Sequence, residues 1–156
     1  MNQPITPCLW FDSQAEEAAN FYVSVFKNSG VKSISRYGKE GFEFHGQKEG
    51  IAMTVSFHIN GQLFTALNGG PVFKFTEAIS FQVFCETQEE IDDYWAKLTN
   101  GGVEVQCGWL KDKYGISWQI IPAILPELMS DPAKTERVTQ AYLQMKKFNI
   151  AKLMEA

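Results

Sequence analysis

Histidine is scarce in this chain: among 156 residues there are two, His45 and His58. A protein-bound divalent metal needs roughly three or more N, O or S donors, so two imidazoles supply little of such a centre. Cysteine is equally sparse. Cys8, Cys85 and Cys107 are odd in number, widely spaced and form no Cys-x-x-Cys pair, which argues against a disulfide framework or a structural zinc site. Reduced thiols are expected. Positive charge never clusters beyond Lys146-Lys147, and the net charge is −4. Phosphate backbones and anionic lipid surfaces therefore exert no general attraction, and no nucleic-acid partner is expected. Long apolar runs are missing too: no stretch approaches the ~20 residues of a membrane span, and "MNQPITPCLWFD" has no basic region followed by an apolar one. No membrane association and a cytoplasmic location are the corresponding expectations.

What the chain does have is apolar and aromatic mass, 45% and 13% of its residues, far from the composition of disordered proteins. Its length suits one domain, residues 1–156. An internal repeat organises that domain. After the strand-like "ITPCLWF", Ser13 and Glu16 form a capping-box pattern, and Ala15, Ala18, Ala19, Tyr22, Val25 and Phe26 recur at helical spacing up to Gly30. After the strand-like "AISFQVFCE", Thr87 and Glu90 repeat the cap, and Ile91, Tyr94, Trp95 and Leu98 form the stripe up to Gly101. The two caps lie 74 positions apart. Strands are then expected at about 31–37, 53–59 and 63–68, with Asn60-Gly61 as a two-residue hairpin turn, and again at about 103–106, 108–112 and 116–121, with Tyr114-Gly115 near the matching turn. Each half reads as strand, helix and three strands.

The halves are unequal, because the first carries about 20 extra residues between helix and hairpin. The excess is residues 38–52, "GKEGFEFHGQKEGIA", rich in glycine and charge, which reads as a mobile loop inserted at one edge. In the tail, Pro126 reads as an interruption, Asp131-Pro132 as a helix start and Val138, Ala141, Tyr142 and Met145 as its apolar face; Asn149 starts a last short helix through Met154. "NGGP", Asn68 to Pro71, is the joint between halves and needs a sharp turn with positive φ.

Two βαβββ halves with a glycine-containing turn before the last strand resemble the vicinal oxygen chelate superfamily of glyoxalases, bleomycin-resistance proteins and extradiol dioxygenases. Within it, "TPCLWFDSQAEEAANFYVSVFKNS", "ALNGGPVFKFTEAISFQVFCETQEE" and "QCGWLKDKYGISWQIIP" are similar to a subfamily labelled demethylubiquinone methyltransferase. The resemblance covers Ile5 to Pro122. It implies an α+β, glyoxalase-like fold, two βαβββ modules forming a cupped mixed sheet over residues of about 1–70 and 71–124, with a helical tail at 125–156. Methyl transfer is not expected despite the label, since the chain lacks the glycine-rich loop after a parallel strand that such a cofactor needs.

In metal-using members of the superfamily, the first and last strands of each half each contribute one ligand. Carried over by counting, those positions are Ile5, Thr65, Ala78 and Gln119. Only Gln119 is a plausible donor, so neither a metal nor another cofactor is expected. The same register points Ser80, Gln82, Ser117, Thr54, Ser56 and His58 into the cup, with Leu9, Phe11, Leu67, Phe84 and Trp109 as apolar partners. Convergent polar groups among aromatics are how small organic ligands are held, so His58, Thr65, Gln82, Trp109 and Gln119 are the candidate ligand-binding residues. The competing reading makes these groups ordinary hydrogen-bonded core. Functionally the expectation is a small-molecule binder with a metal-free cup; a metal-dependent lyase or dioxygenase is the alternative, and catalytic residues are not assignable. A homodimer is expected, because unpaired strand edges and the amphipathic tail call for cover.

Overall fold

A computed structural model describes residues 5–156 of the chain, which divides into two compact units, Met1–Lys74 and Phe75–Ala156. The first contains β1 (Cys8–Phe11), α1 (Ala15–Val25), β2 (Gly30–Arg36), the single-turn α2 (Phe42–His45), β3 (Ala52–Ile59) and β4 (Gln62–Asn68). Its four strands form one mixed sheet in the order β1-β4-β3-β2, with β1 parallel to β4 and the rest antiparallel. The second contains β5 (Ser80–Cys85), α3 (Gln88–Thr99), β6 (Val103–Glu104), β7 (Trp109–Lys111), β8 (Ser117–Pro122) and the helices α4 (Leu125–Ser130), α5 (Pro132–Leu143) and α6 (Ile150–Met154). Its sheet order, β5-β8-β7-β6 with β5 parallel to β8, repeats the first. Two mixed four-stranded sheets with helices are the α+β, two-module architecture implied by the repeat.

Alternation along the strands decides what each sheet buries. In the first unit α1 covers the face carrying Leu9, Phe11, Val55, Phe57, Phe64 and Ala66, and the expected helical stripe from Ala15 to Phe26 is wholly buried. In the second, α3 buries Ile91, Trp95 and Leu98, while Tyr94 stays half-exposed. The other face of each sheet is the open one. The hairpin at Asn60-Gly61 forms as the dipeptide predicts, with φ of 46° and 81°, the double positive φ of a type I′ turn.

The two helix starts diverge from the repeat. Thr87 does cap α3, its hydroxyl accepting from the Glu90 N–H at 3.3 Å. Ser13 caps nothing: α1 begins at Ala15, whose N–H donates 2.8 Å to Oδ1 of the buried Asn68. A side chain from the end of β4 thus replaces the local cap. Pro126 does not interrupt either. It sits in the first turn of α4, where the missing N–H costs nothing. Asp131 and Asn149 cap α5 and α6 as expected, accepting from Ala133 and Lys152 N–H groups. The tail packs within its own unit, with Val138, Phe148 and Leu153 buried, and Gln88 of α3 clamps it through Phe148 O and the Ile150 N–H. Among the described residues no helix is long and apolar enough to cross a membrane.

Candidate functional site

The register on the open faces sorts the candidate residues into two groups. On the first sheet, Thr54, Ser56 and His58 alternate along β3, and Thr65 lies opposite Ser56 and diagonal to His58. Cys8 on β1 pairs with Thr65, so it shares this face, and burial raises its thiol pKa. The His58 ring lies against its β2 partner Gly30, where a Cβ would come within 3.0 Å of Cε1, and its buried Nδ1 has no hydrogen-bond partner among the described residues.

On the second sheet, Gln82 pairs with Gln119 and Gln119 with Trp109, so all three sit side by side across β5, β8 and β7. Gln119 Nε2 donates 2.8 Å to Ser80 Oγ, and Gln82 Nε2 reaches Gln119 Oε1 at 3.4 Å. Ser117 lies beside Ser80 with its buried Oγ unpartnered among the described residues, and Phe84 extends the face toward Ile121. Beyond Ser117, Lys111 is ion-paired with Glu77, which holds that carboxyl below its usual range.

Two placements on the inward roster are corrected. Leu9 and Phe11 turn under α1, paired with Ala66 and Asn68, because Cys8 and Trp10 take the open face of β1. The strand-like "ITPCLWF" suggests one strand from Ile5 onward. Instead, β1 starts at Cys8, and Ile5 is 95% exposed ahead of it. Ala78 likewise precedes β5. The donor set on the open faces is therefore hydroxyls, amides, one thiol, one imidazole and the ion-paired ammonium of Lys111. No strand residue there carries a carboxylate, and the described residues contain no group of three His, Cys, Asp or Glu placed to hold an ion. This chemistry does not fit the divalent metal that the superfamily implies. A methyl-donor nucleotide fits no better, since the β1–α1 and β5–α3 connections contain no glycine to admit a phosphate or sulfonium group closely.

Sequence reading missed a cleft. In the first unit, the 38–52 insertion lies over one end of the open face, and with the Gly69–Val72 turn it borders an open cleft of about 540 Å³. Its ladder closes at Tyr37 and Ile51, whose N–H and C=O join at 2.9 Å. His45 staples the insertion: Nδ1 accepts from the Gln47 N–H at 3.0 Å, which leaves Nε2 to donate to Glu40 O at 3.2 Å, and the ring packs against Tyr37 at a 35° tilt with centroids 4.5 Å apart. Trp10 forms another wall. Its indole lies flat on Gly69, where a Cβ would fall 2.1 Å from the ring, and donates 2.9 Å to Gly70 O. The available signal was "NGGP" itself, since two adjacent glycines beside a strand aromatic permit such an approach.

Burial raises the thiol pKa of both Cys8 and Cys85, which makes neither an activated nucleophile. Cys85, buried under α3's sheet face, is pushed up to about 12 by desolvation with Glu90 adding to it.

This architecture, two βαβββ units with parallel outer pairs, is that of the glyoxalase-like, vicinal oxygen chelate fold. Residues 3–121 match the family model described as 3-demethylubiquinone-9 3-methyltransferase, and the chain belongs to that family. Among solved structures it is similar to a putative 3-demethylubiquinone-9 3-methyltransferase, PhnB protein, from Bacillus cereus, at 42% identity over 78% of this chain and 100% of that one with a TM-score of 0.70. A protein from Pseudomonas aeruginosa (15% identity, 78% and 98% covered, TM-score 0.62) and the fosfomycin resistance protein FosX from Mesorhizobium loti (10% identity, 84% and 99% covered, TM-score 0.58) share the fold alone. No functionally curated protein matches the chain.

Proposed function

We propose that the chain binds a small, uncharged organic molecule without a metal ion, through Gln82, Gln119 and Trp109 on the second sheet's open face. Within the first unit, His58 and Thr65 are proposed as ligand contacts in their own right. The observation that supports this reading most is the amide row: Gln119 spends one N–H on Ser80 and lies next to Trp109, which leaves lone pairs and N–H groups beside an aromatic surface. Such a pair orients a carbonyl or amide and gives a neutral ligand an apolar bed. An amide cannot offset the charge of a divalent cation by itself.

The test combines metal analysis with thermal melting in zinc, manganese and nickel, on wild type and Gln119→Glu. Neither protein is expected to carry stoichiometric metal, and no ion should raise either melting temperature in a saturable way. A carboxylate at 119 would be a single anionic donor among hydroxyls and amides, too few ligands to hold a divalent ion. A saturable rise in the wild type that Gln119 substitution abolishes would replace this reading with a metal-dependent lyase or dioxygenase. For the ligand itself, benzamide titration should shift the Gln82 and Gln119 side-chain amide resonances and the Trp109 indole N–H; shifts confined elsewhere would sink the assignment.

A homodimer is also proposed. The tail's apolar face is largely covered within its own unit, so the support that remains is β1 and β5 standing at the edges of their sheets and apolar side chains such as Phe84, 54% exposed. Light scattering at micromolar concentration should return twice the chain mass of 17.6 kDa; a monomer mass unchanged on dilution rules it out.

A further inference from the structure

We infer that the cleft beneath the 38–52 insertion is a binding site for a neutral, planar aromatic molecule carrying a carbonyl or amide group, with Gln47 as the residue that reads that group. It lies within the first unit and is a different surface from the amide row of the second. Four rings, Trp10, Tyr37, Phe44 and His45, line it together with Leu67, and among the described residues no charged side chain contributes to its wall. An ion entering it would give up hydration and meet no opposite charge, whereas a flat apolar ring finds aromatic partners. About 540 Å³ lies inside the range of small-ligand sites and accommodates a fused two-ring molecule.

The walls are already held in place. Trp10 is fixed by Gly70 O and by an edge contact with Phe73 at 5.0 Å, Tyr37 by its 2.5 Å bond to Asn68 O, and His45 by its two bonds inside the insertion. Ligand binding therefore costs these side chains little further ordering. Two members are unspent. Phe44 stands 88% exposed at the rim, a large apolar side chain with area left to bury. The half-buried Gln47 side-chain amide lies near Gly70, where a Cβ would stand 3.7 Å from its Nε2, and it has no hydrogen-bond partner among the described residues. A donor and an acceptor in a wall otherwise made of rings give the cleft its specificity.

The probes are 1-naphthamide and 1-methylnaphthalene, equal in ring system and differing in the amide, titrated into isotopically labelled full chain. Naphthamide should produce saturable shifts of the Trp10 indole N–H and the Gln47 side-chain amide. Gln47→Ala should weaken naphthamide about 2- to 13-fold, the range of one lost neutral hydrogen bond, and leave methylnaphthalene unchanged within error. Phe44→Ala, a change at an exposed position that leaves the fold intact, should weaken both. Gln119→Ala should change neither, which separates this site from the proposed amide-row function. The inference is overturned if Trp10 and Gln47 show no saturable shift at millimolar probe, if Gln47→Ala weakens both probes equally, or if Gln119→Ala abolishes the shifts.

Discussion

Asn68→Ala is expected to lower stability by about 3 to 5 kcal/mol, the largest effect of any single polar substitution in the first unit. The side chain is buried and bonded at both ends: Oδ1 accepts from the Ala15 N–H that opens α1, and Nδ2 donates 2.9 Å to Ala52 O at the start of β3. Alanine strands both groups away from water, each at a cost of about 1 to 3 kcal/mol, and leaves a void. The melting temperature should fall by roughly 10 °C for a chain of this size. Asn68→Asp is no rescue, because it keeps the acceptor for Ala15 but turns an oxygen toward Ala52 O. The control is Ser13→Ala, the position that the local pattern nominates as the cap. It should shift the melting temperature by no more than a degree or two; if Ser13→Ala matches Asn68→Ala, the capping arrangement described for α1 is wrong.

The second large effect belongs to Gly108→Ala. Gly108 has φ of +79°, and a Cβ there would fall 2.4 Å from the Phe148 ring and 2.8 Å from Ile120 O. Its N–H donates 2.7 Å to Lys146 O, beside a matching 2.8 Å bond from the Cys107 N–H to Met145 O, so this short stretch joins β8 on one side and the tail on the other. Backbone strain of about 1 to 2 kcal/mol adds to an overpacking cost of about 1 to 3 kcal/mol. The tail should be the part that yields. Phe148 is the movable partner, so hydrogen exchange and limited proteolysis across α5 and α6 should rise well before the sheet itself opens. Gly115→Ala isolates the clash, since φ there is +90° but a Cβ meets nothing within 4 Å. It should cost only about 1 kcal/mol. Equal losses at the two glycines, or a tail as protected in Gly108→Ala as in wild type, would show that the junction does not hold the tail.

Both experiments mark the border between what the chain's order of residues decides and what assembly decides. The repeat was legible: periodicity of 3.6 in α1 and α3, alternation in β3, β4 and β8, and the Asn-Gly turn are local preferences, and each concerns neighbours within a few positions along the chain. So was the grouping of Gln82, Trp109 and Gln119 on one face, since strand parity alone sets it once the strands are placed. The cap of α1 was not legible, because the group that satisfies Ala15 is 53 residues away and a local Ser-x-x-Glu pattern was available to mislead. The side taken by Leu9 and Phe11 failed for a related reason: parity is relative, and only pairing with β4 and the packing of α1 decide which parity faces the helix. The insertion is the clearest case. Its glycines and charges describe a surface segment correctly, but that His45 packs against Tyr37 and that Trp10 rests on Gly69 are contacts between distant residues, formed where the β2–β3 connection meets the end of β4. Local propensity carries the elements because it acts through the backbone of adjacent residues; the cleft and the caps that cross the fold exist only once those elements have packed.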